Sequence, residues 1–372
     1  MIKLKNTPEQ IELVKAIGSK DPAVSRPAAE AFATSIGPVI QEVLLHAGTS
    51  SMIYSDYPFQ EDDSQSIPLD LFYNEAVDYV KVWAASPIAG GLPTSEIAGV
   101  SEMKFSTYAL ESAVSFLKKY ARKHYLNVLS KATERMVNET LVKQELQAWA
   151  VVLKALGEAS TQVNGTATVH TVAAGTQGTL KLDDLNRLIT RARRIESSYA
   201  NGTPQNPFSK GITDLFVSPE IKEDIRAFAY NPMNSVAVPN TDESTALGLP
   251  DGVREEIYRS AGASSLYGIN ITDMNEFGVN QIYNTLFSLY AQAGIAPSSA
   301  TFAPATHEVL VGVDLTKEAA LRPVATDAYL GSSVNISVDD QFRVRDDKQG
   351  FWLQLQEARL ILNSKAFLGI IV

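Results

Sequence analysis

The chain has 372 residues, 45% hydrophobic and 20% charged, with a formal net charge of −10 and a pI near 5.0. This is the composition of a folded chain rather than a disordered one. Single cores stop growing at roughly 250–300 residues, so more than one is expected, and an acidic balance without a dense Lys/Arg run argues against a specific nucleic-acid reader. The absence of cysteine excludes disulfides, thiolate metal sites, iron–sulfur clusters and cysteine nucleophiles.

The opening MIKLKNTPEQ lacks the apolar core of a secretory signal, and no stretch approaches the ~18 uninterrupted apolar residues of a membrane span. The expected setting is a cytoplasm with no membrane partner. Residues 1 to about 50 read as broken helices. Thr7 and Pro8 supply an N-cap and a first-turn proline, and Ile11, Leu13, Val14 and Ile17 form a short apolar face. Gly18, Pro22 and Pro27 interrupt it, a second short helix covers Ala28 to Ser35, and Val39 to Leu45 adds a further turn after Gly37-Pro38. So punctuated a segment reads as an arm laid along another surface.

Residues 51–66 are polar and turn-rich. The β-branched and aromatic run Tyr79-Val80-Lys81-Val82-Trp83, the turn Gly90-Gly91-Leu92-Pro93 and the extended run Glu96 to Thr107 predict a long hairpin with a glycine-rich tip. A two-stranded ribbon is only marginally stable in water and needs a surface to lie on.

Between Gly99 and Gly157 there is neither glycine nor proline. Leu110, Val114, Leu117, Ala121, Tyr125, Val128, Ala132 and Met136 recur at steps of three and four. After a polar gap Val142, Leu146, Trp149, Leu153 and Leu156 resume the series. The spacing predicts one helix of about 40 residues, roughly 60 Å long, well beyond the ~10–14 residues usual in globular proteins. Such a rod suggests an extended subunit that completes its burial against neighbours.

A threonine-rich connector, Gly157 to Gly178, leads to an amphipathic helix on Leu182, Leu185, Leu188, Ile189, Ala192 and Ile195. Ile212 to Val217 is a strand, and Ser218-Pro219 starts a helix through Ile221, Ile225 and Phe228. After a loop-rich stretch, 231–275, a helix is expected from Val279 to Ala293 and a strand from Glu308 to Leu315. Closing strands are expected near Gln341 to Arg345, Phe351 to Ile361 and Ala366 to Val372. Alternating elements of both kinds make this half a mixed α+β arrangement. The apolar terminus Phe367-Leu368-Gly369-Ile370-Ile371-Val372 requires burial.

The histidines His46, His124, His170 and His307 are scattered, with no ligand-pair spacing, and read as surface or core-edge residues. No nucleophile elbow, Walker loop or dinucleotide fingerprint occurs. The groups Glu61-Asp62-Asp63, Asp339-Asp340 and Asp346-Asp347 lack an EF-hand spacing and read as solvated loop charge. Arg191, Arg193 and Arg194 complement a helix carboxyl terminus. No catalytic, cofactor-binding or metal residue is assigned, and no cofactor is expected. The candidate inter-subunit contacts are Tyr79, Lys81 and Trp83, because aromatics on a protruding ribbon need cover.

The order of arm, hairpin, long helix, mixed domain and terminal strands resembles the major capsid proteins of tailed bacteriophages, the Hong-Kong-97-type shell fold. The likeness is carried by Gly211 to Glu220, by Leu180 to Ile195, and by Phe342-Arg343-Val344-Arg345 with Gly350-Phe351 and Asn363-Ser364-Lys365-Ala366-Phe367. The resemblance implies an α+β shell protein and divides the chain into five parts. These are an N-arm (1–50), an E-loop hairpin (51–107), a peripheral domain with a spine helix (108–179), an axial domain (180–335) and closing strands (336–372). It implies pentamers and hexamers of this chain around packaged double-stranded DNA in a virion. With no room for a fused amino-terminal scaffold, it also implies a separate scaffolding protein, or none, together with a portal and accessory cement proteins. Lys81, Lys104 and Asn363 match no crosslinking motif, so that chemistry is not carried over. The alternatives are an encapsulin-type bacterial compartment and a soluble enzyme of mixed fold.

Overall fold

The computed structural model describes residues 7–60, 63–68, 102–123, 126–163, 166–195, 211–228, 234–237, 244–247, 252, 255, 265–327, 332–339 and 347–372. In chain order these form α1 (Pro8–Ile17), α2 (Pro22–His46), β1 (Ser55–Gln60), β2 (Ser66–Pro68), β3 (Glu102–Lys104), β4 (Tyr108–Leu117), α3 (Lys118–Arg122) and α4 (Leu126–Glu158). Then follow β5 (Ser160–Val163), β6 (Thr166–Val169), β7 (Thr171–Ala173), α5 (Leu182–Ile195), β8 (Asp214–Val217), α6 (Pro219–Ala227), β9 (Asn234–Ala237) and β10 (Ser244–Leu247). The chain ends with β11 (Ser265–Leu266), β12 (Ile269–Asp273), α7 (Ile282–Ser288), β13 (Val309–Val313), β14 (Ala320–Thr326), β15 (Val334–Asp339), β16 (Lys348–Glu357), β17 (Leu360–Ile361) and β18 (Phe367–Ile371).

Two compact units divide the chain. The first comprises residues 1–66, 104–148 and 320–360. Its sheet is built around β16, which pairs antiparallel with β4 on one side, from Lys348 opposite Leu117 to Glu357 opposite Tyr108, and with β15 on the other. β1 runs parallel to β14 at the sheet's edge. One face of this sheet receives α1 and α2: Ile36, Ile40, Phe116, Met136, Phe351, Leu353 and Leu355 share one core. The rings of Phe32 and Phe351 lie 5.4 Å apart.

The expected break at Gly18 separates α1 from α2, but from Pro22 to His46 the chain is one continuous helix where the sequence suggests interrupted turns. α2 runs through Pro27 and Pro38. Proline removes an N–H and frees the carbonyl four residues back. Both prolines lie on the exposed face while Ala28, Ala29, Phe32, Ala33, Ile36, Ile40 and Leu44 form an unbroken buried stripe. The loss falls on the watery side and packing on the other side keeps the helix whole.

The long helix is also corrected. α4 has 33 residues and starts at Leu126; Tyr108–Leu117 is a strand and Lys118–Arg122 a separate short helix. A step of four, as from Leu110 to Val114, keeps a residue on one face of a strand as well as of a helix. The absence of Gly and Pro does not choose between the two. β4 alternates between half-buried and exposed residues along most of its length. Within α4 the buried stripe keeps Met136, Trp149, Leu153 and Leu156 of the apolar series and departs from it between Met136 and Trp149. Val142 is 61% exposed, and the buried positions are Leu129, Thr133, Met136, Val137, Thr140, Gln144, Ala148, Trp149, Val152, Leu153 and Leu156. The Thr133 and Thr140 hydroxyls donate back to the carbonyls of Leu129 and Met136, satisfying themselves within the helix.

The second unit comprises residues 67–103, 149–319 and 361–372. Its six-stranded sheet has the order β11-β12-β8-β13-β18-β7. β8, β13 and β18 are buried at every position, which is why β13 and β18 read as continuous apolar runs and β8 does so after Asp214. α5 and α6 pack on the sheet through Leu185, Leu188, Ala192, Ile221 and Ile225, joined by Leu310, Leu368 and Ile370. Trp149 is fully buried, its ring 5.1 Å from Phe216 and 5.3 Å from Phe277. The apolar terminus is the strand β18, between β13 and β7. Gly369 is required there, because a Cβ would lie 2.6 Å from the carbonyl oxygen of Leu310 and 2.9 Å from Leu156.

Candidate functional site

The hairpin contacts Tyr79, Lys81 and Trp83 lie outside the described residues, as do His124, Glu61, Asp62, Asp340, Asp346 and the run 341–345. On either side of residues 69–101, which also lie outside the described residues, β2 pairs with β3, and Phe59 meets Phe105 edge to face at 5.5 Å.

Of the remaining sequence candidates, His46, Asp63, Arg193 and Arg194 are exposed, and others are absorbed into structure. His170 is fully buried rather than at a core edge. Its Nδ1 is 3.0 Å from the carbonyl of Phe367 and its Nε2 is 2.8 Å from the Thr161 hydroxyl. A carbonyl only accepts, so the partners assign the proton to Nδ1 and make Nε2 the acceptor. Burial holds this imidazole below its ordinary value. His307 is buried as well, and its Nδ1 accepts from the Ala303 amide at 3.0 Å. Asp347 pairs with Arg122 at 2.7 Å. Arg191 donates to the carbonyls of Val169 and Thr171, a strap from α5 to neighbouring strands. Among the described residues no three His, Cys, Asp or Glu side chains are gathered to hold a metal, and no helix is long and apolar enough to cross a membrane.

Two features escape the sequence reading. The first is a buried charged group in the first unit. Glu357 is completely buried, and its Oε1 accepts from the Tyr108 hydroxyl at 2.9 Å and its Oε2 from Gln144 Nε2 at 3.1 Å. Arg359 Nη2 donates to both carboxylate oxygens, at 3.2 and 3.3 Å. Arg322, also buried, lies 2.8 Å from Asp56 and 4.0 Å from Glu357. The Arg359 guanidinium stacks 4.9 Å from the Tyr54 ring. Burial pushes the Tyr54 and Tyr108 hydroxyls above the usual phenolic range and draws the Arg322 guanidinium below its own. The group ties β1, β4, α4, β14 and β16 together, and the shared carboxylate offsets much of the cost of burial, although Arg359 Nε and Nη1 and Gln144 Oε1 make no hydrogen bond among the described residues.

The second feature is an apolar surface in the second unit, around α7. Val279, Ile282 and Leu289 are 40%, 49% and 72% exposed, and Leu286 is half-buried between them. On the inner side Tyr283, Asn284 and Phe287 are buried. The sequence signal for this surface is a missing one: from Phe277 to His307 there is no Asp, Glu, Lys or Arg.

The helix predicted for Val279 to Ala293 shrinks to Ile282–Ser288. Beyond it the chain turns through positive φ at Gly294, Ser298 and Ser299. Glu308, buried beside the start of this region, accepts from the Ser218 hydroxyl at 2.7 Å and from the Val279 amide at 3.2 Å. Burial raises its carboxyl above the ordinary range.

No family model matches the chain, and no curated protein matches it in sequence. Solved structures do. The capsid of the native GTA particle superposes with a TM-score of 0.50 at 10% identity, over 87% of this chain and 90% of that one. The capsid of the cyanophage P-SCSP1u gives 0.47 at 12% identity, over 86% of each chain. The SrpI encapsulin complex of Synechococcus elongatus PCC 7942 gives 0.39 at 10% identity, over 73% of this chain and 75% of that one. The chain has the α+β fold of the Hong-Kong-97-type capsid proteins.

Proposed function

We propose that this protein is a major capsid protein, a structural subunit that assembles with copies of itself into the icosahedral shell of a virion around double-stranded DNA. The supporting observation is the likeness to the GTA particle capsid, which covers 87% of this chain and 90% of that one. In this reading residues 1–50 are an N-arm, 51–107 an E-loop hairpin, 108–179 a peripheral domain with α4 as its spine, 180–335 an axial domain and 336–372 the closing strands. Tyr79, Lys81 and Trp83 on the hairpin meet neighbouring subunits. Pentamers and hexamers close by symmetry, through interfaces of the obligate class that run above about 2,000 Å². Without cysteine the particle coheres by burial and hydrogen bonding. A separate scaffolding protein, a portal and cement proteins complete the head, which is assembled in the host cytoplasm.

The role is structural rather than enzymatic. The buried charges on Glu357 and Arg359 are consumed by one another, which suits a subunit whose chemistry is shape. Negative-stain electron microscopy of the expressed protein, with nuclease-protected nucleic acid measured on particles purified from infected or induced cells, tests the reading. Closed shells that protect double-stranded DNA are expected. Closed shells holding protein cargo and no DNA would move the assignment to a bacterial compartment, and a stable 40.4 kDa monomer at high concentration would overturn it.

A further inference from the structure

We propose that the outward face of α7, formed by Val279, Ile282, Leu286 and Leu289, is a contact surface for a second copy of this chain. The inference rests on the shell reading and adds to it a specific surface among the described residues.

The first argument is the helix itself. Ile282, Leu286 and Leu289 stand at i, i+4 and i+7, one stripe along an α-helix and its final turn. Tyr283, Asn284 and Phe287 occupy the opposite side and are buried. A surface helix ordinarily sets an apolar face against a charged one. Here the solvent-facing side is also apolar, and Leu289, at 72%, is the most exposed of the large hydrophobic residues described. Such a surface is a contact waiting for cover.

Charge selects the occupant. Copies of this chain each carry −10 and repel one another at long range. A nucleic acid would require lysine or arginine on the surface it meets, and a basic protein partner would be drawn to carboxylates. The stretch Phe277 to His307 offers neither, although 20% of the chain is charged. An uncharged apolar patch is the surface on which two like-charged copies can meet without adding repulsion at the contact, and depletion of charge is the compositional mark of an interface centre. Glu220, beside Gly278, stands at the edge of the patch as a polar rim.

The surface is also held rigid. Positive φ recurs at Gly278, Asn280, Gly294, Ser298 and Ser299, conformations that persist only where the surroundings over-determine them. Those surroundings are visible. Asn284 Nδ2 donates to the carbonyls of Pro304 and His307, at 3.1 and 2.6 Å. The Asn280 amide donates to Pro304 at 2.8 Å, and Phe287 meets Phe302 edge to face at 4.9 Å. A surface ordered in advance loses little freedom on docking.

The absence of native cysteine makes the test direct. In Leu289→Cys the introduced thiol is unique, and its labelling by a maleimide is compared between assembled particles and the same subunits dissociated. Labelling more than about tenfold slower in particles is expected for a residue at an interface centre; equal rates overturn the proposal. In parallel, Ile282→Lys combined with Leu289→Lys is expected to leave the melting temperature of the subunit unchanged, since both side chains are exposed. It should raise the concentration needed for assembly by more than about tenfold. A doubly substituted protein that assembles as wild type does overturns the proposal while leaving the shell reading intact. A wild-type protein that never assembles overturns both, and the wild-type arm distinguishes the two outcomes.

Discussion

The two units differ in what their sheets bury, although the second also buries Asp184, Asp214, Glu308 and Asp314. The second hides an almost wholly apolar sheet, with β8, β13 and β18 buried at every residue and Trp149 wedged among Phe216, Phe277 and Tyr283. The first places Arg322, Glu357, Arg359, Gln144 and Gln349 in its interior beside a conventional apolar layer under α1 and α2. In the apolar unit stability scales with area removed from water and any well-packed side chain contributes. In the charged unit it depends on each partner's presence, because a buried charge stripped of its counter-charge costs more than the pair contributes. The difference predicts how each unit responds to substitution.

The largest effect is expected at Trp149. Replacement by Ala removes a fully buried indole and leaves a void among three aromatic rings, costing about 3–5 kcal/mol. Chemical denaturation followed with hydrogen exchange should show the loss in β8 and β13. A loss below about 1 kcal/mol would mean that the surroundings collapse to fill the void.

Next is Glu357→Leu, which strands the Arg359 guanidinium and deprives Arg322 of one of its two carboxylates, for a loss of about 3 kcal/mol. The comparison between the units sharpens in the combined variant Arg322→Met, Glu357→Leu, Arg359→Met. Removing all three charges together should restore most of the stability, because no charge is then buried unpaired. No such rescue by a second polar-to-apolar change exists for Trp149. If the triple variant is less stable than Glu357→Leu alone, the charged group contributes net stability rather than only tolerating its own burial.

The smallest effect is a pH dependence in the second unit. Burial keeps His170 neutral below its ordinary value near 6.5. As pH falls through that value the unfolded chain takes up a proton that the folded chain refuses, so stability declines until the lowered folded-state value is passed and then levels off. His170→Gln, which titrates nowhere in this range, should flatten the decline in melting temperature between about pH 7 and pH 5. An unchanged slope would place the acid sensitivity on other groups.

Much of the second unit was legible in the residues. Leu182 to Ile195 shows its amphipathic period. Ser218-Pro219 announces α6, and the Ser218 hydroxyl does accept from the Ile221 amide at 3.1 Å. The run Phe367 to Val372 states its burial by composition. The first unit was less legible. Leu110 and Val114 satisfy two periodicities at once, so only the ten-residue ladder with β16 decides for strand. Pro27 and Pro38 look like breaks until α2 is seen to turn both toward water.

The sequence by itself determined which segments are apolar, where helices are capped, that no thiol chemistry is available and that the terminal strand must be buried. These are properties of single residues and their near neighbours. Only the tertiary structure decided that Thr140 and Gln144 face inward while Val142 faces out, and that Glu357 finds Arg359, Gln144 and Tyr108. It likewise decided that α7 leaves one apolar side uncovered. Apart from Arg359, two residues from Glu357, the partners concerned are distant in the chain, and the free energy of a buried polar contact is set by the partner's arrival rather than by the residue's own preference.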